Sequence, residues 1–404
     1  MDDGVAASNR AFRDYTVLAK VSESQVITSL VLAPASAGEV PAYRPGQHLI
    51  FRLNVAGEKI LRHYSISGDP AGHGTLRVSV KREPPPRAQP GLPPGAGSGH
   101  MHDHVQVGDT LTAAGPVGDF TLAEDSERPV LLLSGGVGLT PMMCMLHRLV
   151  QSSNRPVYFV HACENGDVHA FADEVTALAR QRPGVCVHFC YREPTVLDQE
   201  QHRFHSTGLI RREILQALLP LDDYEVYLCG PPAFMQANWR LLRGLGVTAD
   251  RIHYEFFGPA TVLETDQDMS DSVPLAGKAG IEGAAAPLVA AADHEIATDA
   301  SLGPKVSASV ESGGNESGAI QVKFGPSGIT VPWDPHCPSL LDLAEQAGLS
   351  PNYNCRAGLC NTCMSTLVTG DVDYFEPPLD PPPEGKVLLC CSRPVGSVVI
   401  ELAS

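Results

Sequence analysis

Along residues 10–125 apolar and polar positions alternate in short runs, "YTVLAKV", "ITSLVLAP", "HLIFRLNV", "TLRVSVKRE" and "DTLTAAG", separated by Gly- and Pro-bearing turns. A period of two with frequent turn signals predicts an antiparallel β-barrel. From Pro129 the pattern changes to apolar strand, turn and helix-period segment, in "PVLLLSGGVGLTPMMCMLHRLV", "PVYFVHACENGDVHAFADEVTALAR" and "YEVYLCGPPAFMQANWRLLRGLG". Three such units predict an α/β domain over 128–258, with a parallel sheet that binds ligands at the C-terminal ends of its strands. Residues 259–318 lose the pattern. Rich in Ala, Gly and Ser and poor in aromatics, they are expected to form a flexible linker with a coil-like span of roughly 40–45 Å. From Ala319 to the end at 404 a third domain opens with a hairpin-like "AIQVKFGPSGITVPW" and the amphipathic helix "SLLDLAEQAG". "REPPPRAQPGLPPGAGSG" reads as a proline-rich loop interrupting the barrel.

Composition narrows the class. The 404 residues are 43% hydrophobic and 19% charged, as in ordinary globular chains. No run of eighteen apolar residues appears, so no transmembrane helix and no membrane partner are expected. "MDDGVAASNRAFRDY" is acidic without an apolar core and does not read as a secretory signal. A cytoplasmic address with reduced thiols is the expectation. The net charge is −17, and residues 319–404 hold nine acids against four bases. Without a basic stripe nucleic acid is not an expected partner. An acidic C-terminal module should steer toward a positive protein surface.

Eleven cysteines, five in the last fifty residues, favour metal ligation over crosslinking. "NYNCRAGLCNTC" spaces Cys355, Cys360 and Cys363 as C-x4-C-x2-C, and Cys390 and Cys391 follow. Four thiolates at this spacing suit a [2Fe–2S] cluster. A structural zinc site is the alternative, although its second ligand pair would have to be the adjacent Cys390 and Cys391. With its helix, "GDVDY" and "LLCCSRP" in order, the segment 319–404 resembles a plant-type ferredoxin domain. The resemblance implies an α+β fold of the β-grasp type and places Cys390 as the fourth ligand.

"RHYSISG" (62–68) offers an arginine for a phosphate, an aromatic for an isoalloxazine face and a hydroxyl for the ring edge; plain strand alternation would produce the same letters. Ser98 in "GAGSGHMHDHV" is expected at the N-cap of a short helix, a natural anion site. His100 and His104 there have metal-compatible spacing but are expected on a partly exposed helix. The glycines of "SGGVGLTP" (134–141) allow close backbone approach to a pyrophosphate, and "CGPP" ends a later strand. Together with "YRPGQHL", "VSVKRE", "HDHVQVGD", "GPVGDF", "ENGDVHAFADEV", "YREP" and "IHYEFFGP", these segments resemble the ferredoxin–NADP reductase superfamily, most of all the reductase part of flavohaemoglobins, through Pro259.

That resemblance implies FAD, with Arg62, Tyr64, Ser65 and Lys81 on the flavin side and Ser98 on its pyrophosphate. It puts Gly136, Gly138, Thr140, Cys229, Gly230 and Pro231 on the nicotinamide nucleotide. Ser65, Cys229, Glu255 and Phe257 are implied near the reacting atoms. Two departures stand out: the loop 84–97 is long, and no globin domain precedes the barrel, so haem-based nitric oxide chemistry is not expected. Arg192 could meet a 2′-phosphate, but Glu193 opposes one, so NADH is expected over NADPH.

The domain order resembles reductase components of two-component oxygenases, those serving Rieske-type monooxygenases and demethylases above all, including ones for betaine-like quaternary ammonium substrates. The expected activity is that of an NAD(P)H oxidoreductase passing electrons from NADH to FAD, to the cluster and to a terminal oxygenase. A reductase of a hybrid-cluster protein is one alternative. A redox-sensing module with a structural metal site is another.

Overall fold

The structure is a computed structural model that describes residues 10–36, 38–72, 74–85, 94–257, 263 and 320–403. The linker expected over 259–318, Leu263 excepted, lies outside the described residues, as do residues 86–93 of the proline-rich loop.

The first domain is an antiparallel sheet of β1 (Arg13–Ser22), β2 (Ile27–Pro34), β3 (His48–Val55), β4 (Glu58–Ser65), β5 (Leu76–Lys81) and β6 (Thr110–Val117). Its order is β4-β3-β6-β1-β2-β5, and an Ile66–Val78 bridge joins the two edges into a barrel. Alternation explains its core: Leu49, Phe51 and Leu53 of β3 point inward with Val17, Leu30, Leu32 and Val78. Ile50 breaks the alternation. It is fully buried on the other face, with Leu61 of β4 and Leu359 of the C-terminal domain.

The second domain is a parallel sheet of β7 (Val130–Gly135), β8 (Val157–Cys163), β9 (Val185–Tyr191), β10 (Ser206–Thr207), β11 (Glu225–Cys229) and β12 (Ile252–Glu255). The order β10-β9-β8-β7-β11-β12 makes the chain leave β7 one way for β8 and the other way for β11. A crevice opens at such a switch point, beyond the carboxyl ends of the strands. Here the two loops touch backbone to backbone: a Cβ on Gly138 would lie 2.2 Å from the Cys229 carbonyl oxygen. Only glycine fits.

The third domain is a mixed sheet of order β14-β13-β19-β15-β17, built from β13 (Gln321–Gly325), β14 (Ile329–Pro332), β15 (Met364–Thr369), β17 (Lys386–Leu388) and β19 (Val398–Glu401). A separate two-stranded antiparallel sheet pairs β16 (Val372–Tyr374) with β18 (Ser392–Pro394). Helix Leu340–Gln346 starts where the Ser339 hydroxyl accepts the Asp342 N–H at 3.2 Å, and it buries Leu340, Leu341 and Leu343 against Val322, Phe324 and Ile400. These domains are the antiparallel, parallel and small α+β folds that the sequence pattern implies. Among the described residues no helix is long and apolar enough to cross a membrane.

Of the buried histidines of the parallel domain, His161 and His169 lie side by side. His161 Nδ1 is 2.9 Å from Ser134 Oγ, His169 Nδ1 is 2.8 Å from the Tyr191 hydroxyl, and the rings lie 4.7 Å apart. Burial pushes His169 down to about 4 and holds His161 well below the usual imidazole range, with His169 beside it. The unfolded chain therefore binds protons from about pH 6.5 downward while these native rings do not, and stability falls as pH drops through that window. For His169 alone the loss by pH 4 is about 3 kcal/mol. Thermal unfolding between pH 7 and 4.5 should show a declining Tm, with a shallower decline in His169→Asn. Equal slopes would assign the acid sensitivity elsewhere.

Candidate active site

A cavity of about 920 Å³ is walled by all three domains. Arg62, Tyr64 and Ser65 on β4, Lys81, Ser98, Thr140, Glu255 and Phe257 line it together with Cys355 and Cys360. Gly136, Gly138, Cys229, Gly230 and Pro231 are not among its lining; Gly138 packs on the backbone of Cys229 and Gly230 at the switch point. Cys363 and Cys390 lie buried beneath the cysteine loop.

Helix Ala96–Asp103 begins at Gly95 with no side-chain cap, so its first-turn N–H groups are free to meet an anion. Arg62 lies over that end: a Cβ on Gly97 would be 2.7 Å from Arg62 Cγ. Cation and helix terminus together form a cradle that fits a pyrophosphate. Ser98 is not the N-cap that the sequence suggested. The run of small residues starts the helix at Ala96, so Ser98 falls inside the first turn. Its hydroxyl donates to the Gly95 carbonyl at 3.0 Å and accepts the Glu83 N–H at 3.1 Å, tying the end of β5 to the helix. Lys81 Nζ is 3.2 Å from Glu83.

Tyr64 packs on Phe51 with ring centroids 5.7 Å apart, and burial pushes its phenol up, so it stays neutral. Ser65 is 3% exposed and its hydroxyl has no hydrogen-bond partner. A buried unpaired polar group costs about 1–3 kcal/mol, and a heteroatom at a flavin ring edge would remove that cost. The residues present fit FAD.

At the other end Thr140 Oγ1 donates to the Val137 carbonyl at 3.0 Å. Cys229 is fully buried, paired in register with Glu255, and its thiol is pushed well up by burial and then by the Glu255 charge. Gly136 takes φ +53°, and Pro231 leads into helix Pro232–Gly244. Glu255 Oε1 lies 3.5 Å from His48 Nδ1. His48 in turn stacks on His63 at 4.8 Å. Gly118 makes room, since a Cβ there would be 2.9 Å from His48 Nδ1. Glu255 Oε2, His48 Nε2 and His63 Nε2 are buried without partners. Burial, reinforced by His48, holds His63 at about 3, so its ring is neutral. Sequence reading missed this pair, taking His63 as a spacer inside "RHYS". The available signal was a histidine opening each apolar stretch.

The cysteine loop bends through positive φ at Arg356 (+51°), Gly358 (+67°) and Asn361 (+56°). The bends turn N–H groups toward sulfur: Leu359 to Cys355 Sγ at 3.3 Å, Gly358 to Cys390 Sγ at 3.3 Å, and Thr362 to Cys360 Sγ at 3.5 Å. Cys363 Sγ and Cys390 Sγ are 3.3 Å apart, while the Cys360 and Cys390 thiols hold Cys355 below its usual range. Cys391 instead turns its thiol to the Leu388 carbonyl. Four sulfurs with inward N–H groups fit a [2Fe–2S] cluster. Among the described residues no three His, Cys, Asp or Glu side chains converge on one ion. His100 and His104 thus gain no third ligand, and their rings lie 5.5 Å apart.

Residues 14–122 match the oxidoreductase FAD-binding domain, 132–239 the oxidoreductase NAD-binding domain and 322–395 the 2Fe-2S iron-sulfur cluster binding domain. A flavohemoprotein of Bacillus cereus is 45% identical over 256 residues, covering 63% of this chain and 62% of that protein. The chain thus spans less than two thirds of the length of such relatives. The flavohem-like FAD/NAD-binding domain of a Vibrio cholerae nitric oxide dioxygenase is 37% identical, with 61% of this chain and 99% of that one covered at a TM-score of 0.54. Phthalate dioxygenase reductase is 20% identical and shares the fold over 97% of this chain and 98% of its own, at a TM-score of 0.52. Fold and site define an oxidoreductase that uses FAD, a nicotinamide nucleotide and a [2Fe–2S] cluster for electron transfer. The chain belongs to the ferredoxin–NADP reductase superfamily and carries a plant-type ferredoxin domain on its C-terminal side.

Gly97→Ala tests the cradle. The added methyl displaces the flexible Arg62 side chain and leaves the fold intact, so FAD should be held about tenfold more weakly while iron content stays normal. Unchanged flavin retention would remove Arg62 from the site.

Proposed function

We propose that the chain is an NADH-dependent reductase delivering single electrons to a partner protein, the terminal component of a Rieske-type monooxygenase or demethylase, with betaine-like quaternary ammonium compounds as the substrate class of that partner. The observation that carries the reading is the shared cavity, which Ser65 of the barrel, Glu255 of the parallel domain and Cys355 and Cys360 of the C-terminal domain all line. When bound, FAD and the [2Fe–2S] cluster supply the conversion of a hydride donor into one-electron steps. Each NADH then reduces two equivalents of a one-electron acceptor and releases one proton.

The protein's part is placement. Arg62 and the first turn of Ala96–Asp103 hold the pyrophosphate, and Tyr64 covers the ring. The unpaired Ser65 hydroxyl would donate to the flavin ring edge, and Glu255, 3.5 Å from His48, would lie near the reacting atoms. Phe257, 41% exposed at the edge of the cavity, would flank the flavin and the nicotinamide pocket. The Gly136–Gly138 turn, Gly230 and Pro231 let the nucleotide backbone approach, with Thr140 and Cys229 flanking the reactive carbon. Cys355, Cys360, Cys363 and Cys390 hold the cluster. Arg192 and Glu193 are both exposed after β9, and the carboxylate beside the guanidinium disfavours a further phosphate.

Anaerobic addition of one equivalent of NADH should bleach both the flavin bands and a broad red-brown absorption. Flavin bands alone, with zinc on metal analysis, would make the cysteine loop structural. Cys360→Ser should lose reduction of cytochrome c and keep reduction of ferricyanide. Equal loss of both would overturn the order of electron flow.

A further inference from the structure

Strands β3 and β4 turn one face of the barrel to the cysteine loop. In their register His48 lies opposite Ser65, Ile50 opposite His63 and Arg52 opposite Leu61, so these six side chains share one side of the sheet. One end of that side is closed by the C-terminal domain. Ile50 and Leu61 bury Leu359, with Cys355 packed beside them, and Arg52 rims the contact by donating to Asp380 Oδ1 at 2.9 Å. Arg10 is a second rim tie: it pairs with Glu376 and donates to the Ala357 carbonyl at 3.2 Å. The other end of the side is Ser65, the hydroxyl assigned to the flavin ring edge. His63 stands between the two, two residues from Leu61 and two from Ser65, about 7 Å from each along the strand.

The ring is held in place. It stacks on His48 at 4.8 Å with the planes 23° apart, and His48 is set in turn by Glu255 at 3.5 Å and by the space that Gly118 leaves. Burial keeps the His63 ring neutral, so it carries a single N–H. Its Nε2 is nevertheless buried with no hydrogen-bond partner among the described residues. An N–H left in that state costs about 1–3 kcal/mol, and a sulfur acceptor on the facing loop removes the cost. Cys355 lines the same cavity and acts on the ring's charge in the sense opposite to burial. Within its own loop Cys355 already receives the Leu359 N–H at 3.3 Å.

We propose that His63 donates its Nε2–H to sulfur at Cys355, the cluster ligand packed on the barrel, so that the barrel helps to set the reduction potential of a cluster held by another domain. This rests on the electron path proposed above. One electron leaves the reduced flavin, which is oxidised, and reduces the cluster, which gains one negative charge; the proton stays on the histidine nitrogen. A hydrogen bond to sulfur stabilises the added charge and makes the cluster the better acceptor. The three residues of this side of β4 then serve one step: Ser65 at the flavin, His63 at the sulfur and Leu61 at the seat of the loop.

Two substitutions test the bond. His63→Phe keeps an aromatic ring against His48 and removes the N–H, whereas His63→Gln returns an N–H to the same side of the strand. Each full-length variant is prepared flavin- and iron-replete and titrated with dithionite and redox mediators, the reduced cluster being read by electron paramagnetic resonance. Mediators take the place of NADH, so the cluster potential is measured without the electron path. His63→Phe should lower that potential by about 59 mV, a tenfold loss in the equilibrium of electron transfer from the flavin, and leave the flavin potential at the parental value. His63→Gln should recover most of the loss. A parental cluster potential in His63→Phe would overturn the hydrogen bond. A shift of the flavin potential alone would also overturn it, by giving the ring to the flavin. An equal fall in His63→Gln would overturn it too, by making the effect one of packing. If the potentials shift as stated but NADH does not bleach the parent's cluster, the electron path is overturned and the hydrogen bond stands.

Discussion

The seating of Leu359 between Ile50 and Leu61 is the contact on which the arrangement of this protein depends. Burying one such side chain from water is worth about 1.5–3 kcal/mol, which favours the contact. Without it the cavity loses the wall that carries Cys355 and Cys360. The rim ion pairs add orientation more than strength.

The polar groups around the cavity follow from the same geometry. Ser65, His48, His63 and Glu255 each keep a buried atom without a partner, a condition that proteins tolerate mainly where a ligand completes the hydrogen bonding. The neutral His63 adds no charge to the region between barrel and cysteine loop, where Arg62 and Lys59 line the cavity with Cys355 and Cys360. Placement is divided between the apolar centre and the rim.

Much of this was legible in the sequence because local periodicity and local motifs express it. Alternation gave β2 and β3 to the residue, strand–turn–helix units gave the parallel domain, and the cysteine spacing pointed to a cluster. The helix at Ala96 was misread by one turn, since a run of Gly, Ala and Ser offers several equivalent starting points. The roles of His48, His63, Arg10 and Arg52 were illegible for a different reason. Their partners lie on other elements, as when Arg52 meets Asp380 across the domain boundary, and no local pattern encodes such a meeting. Ile50 did leave a trace, in the apolar run "LIF" that strand alternation alone does not explain.

The sheet order carries a consequence for engineering. β8 lies between β7 and β9, so the exposed pair Arg192–Glu193 is a full strand away from the Gly138–Cys229 crossing, where no side chain can be added. Substitutions at the rim of β9 therefore leave the crossing untouched. What faces the rim of β9 and what faces the crossing can thus vary independently.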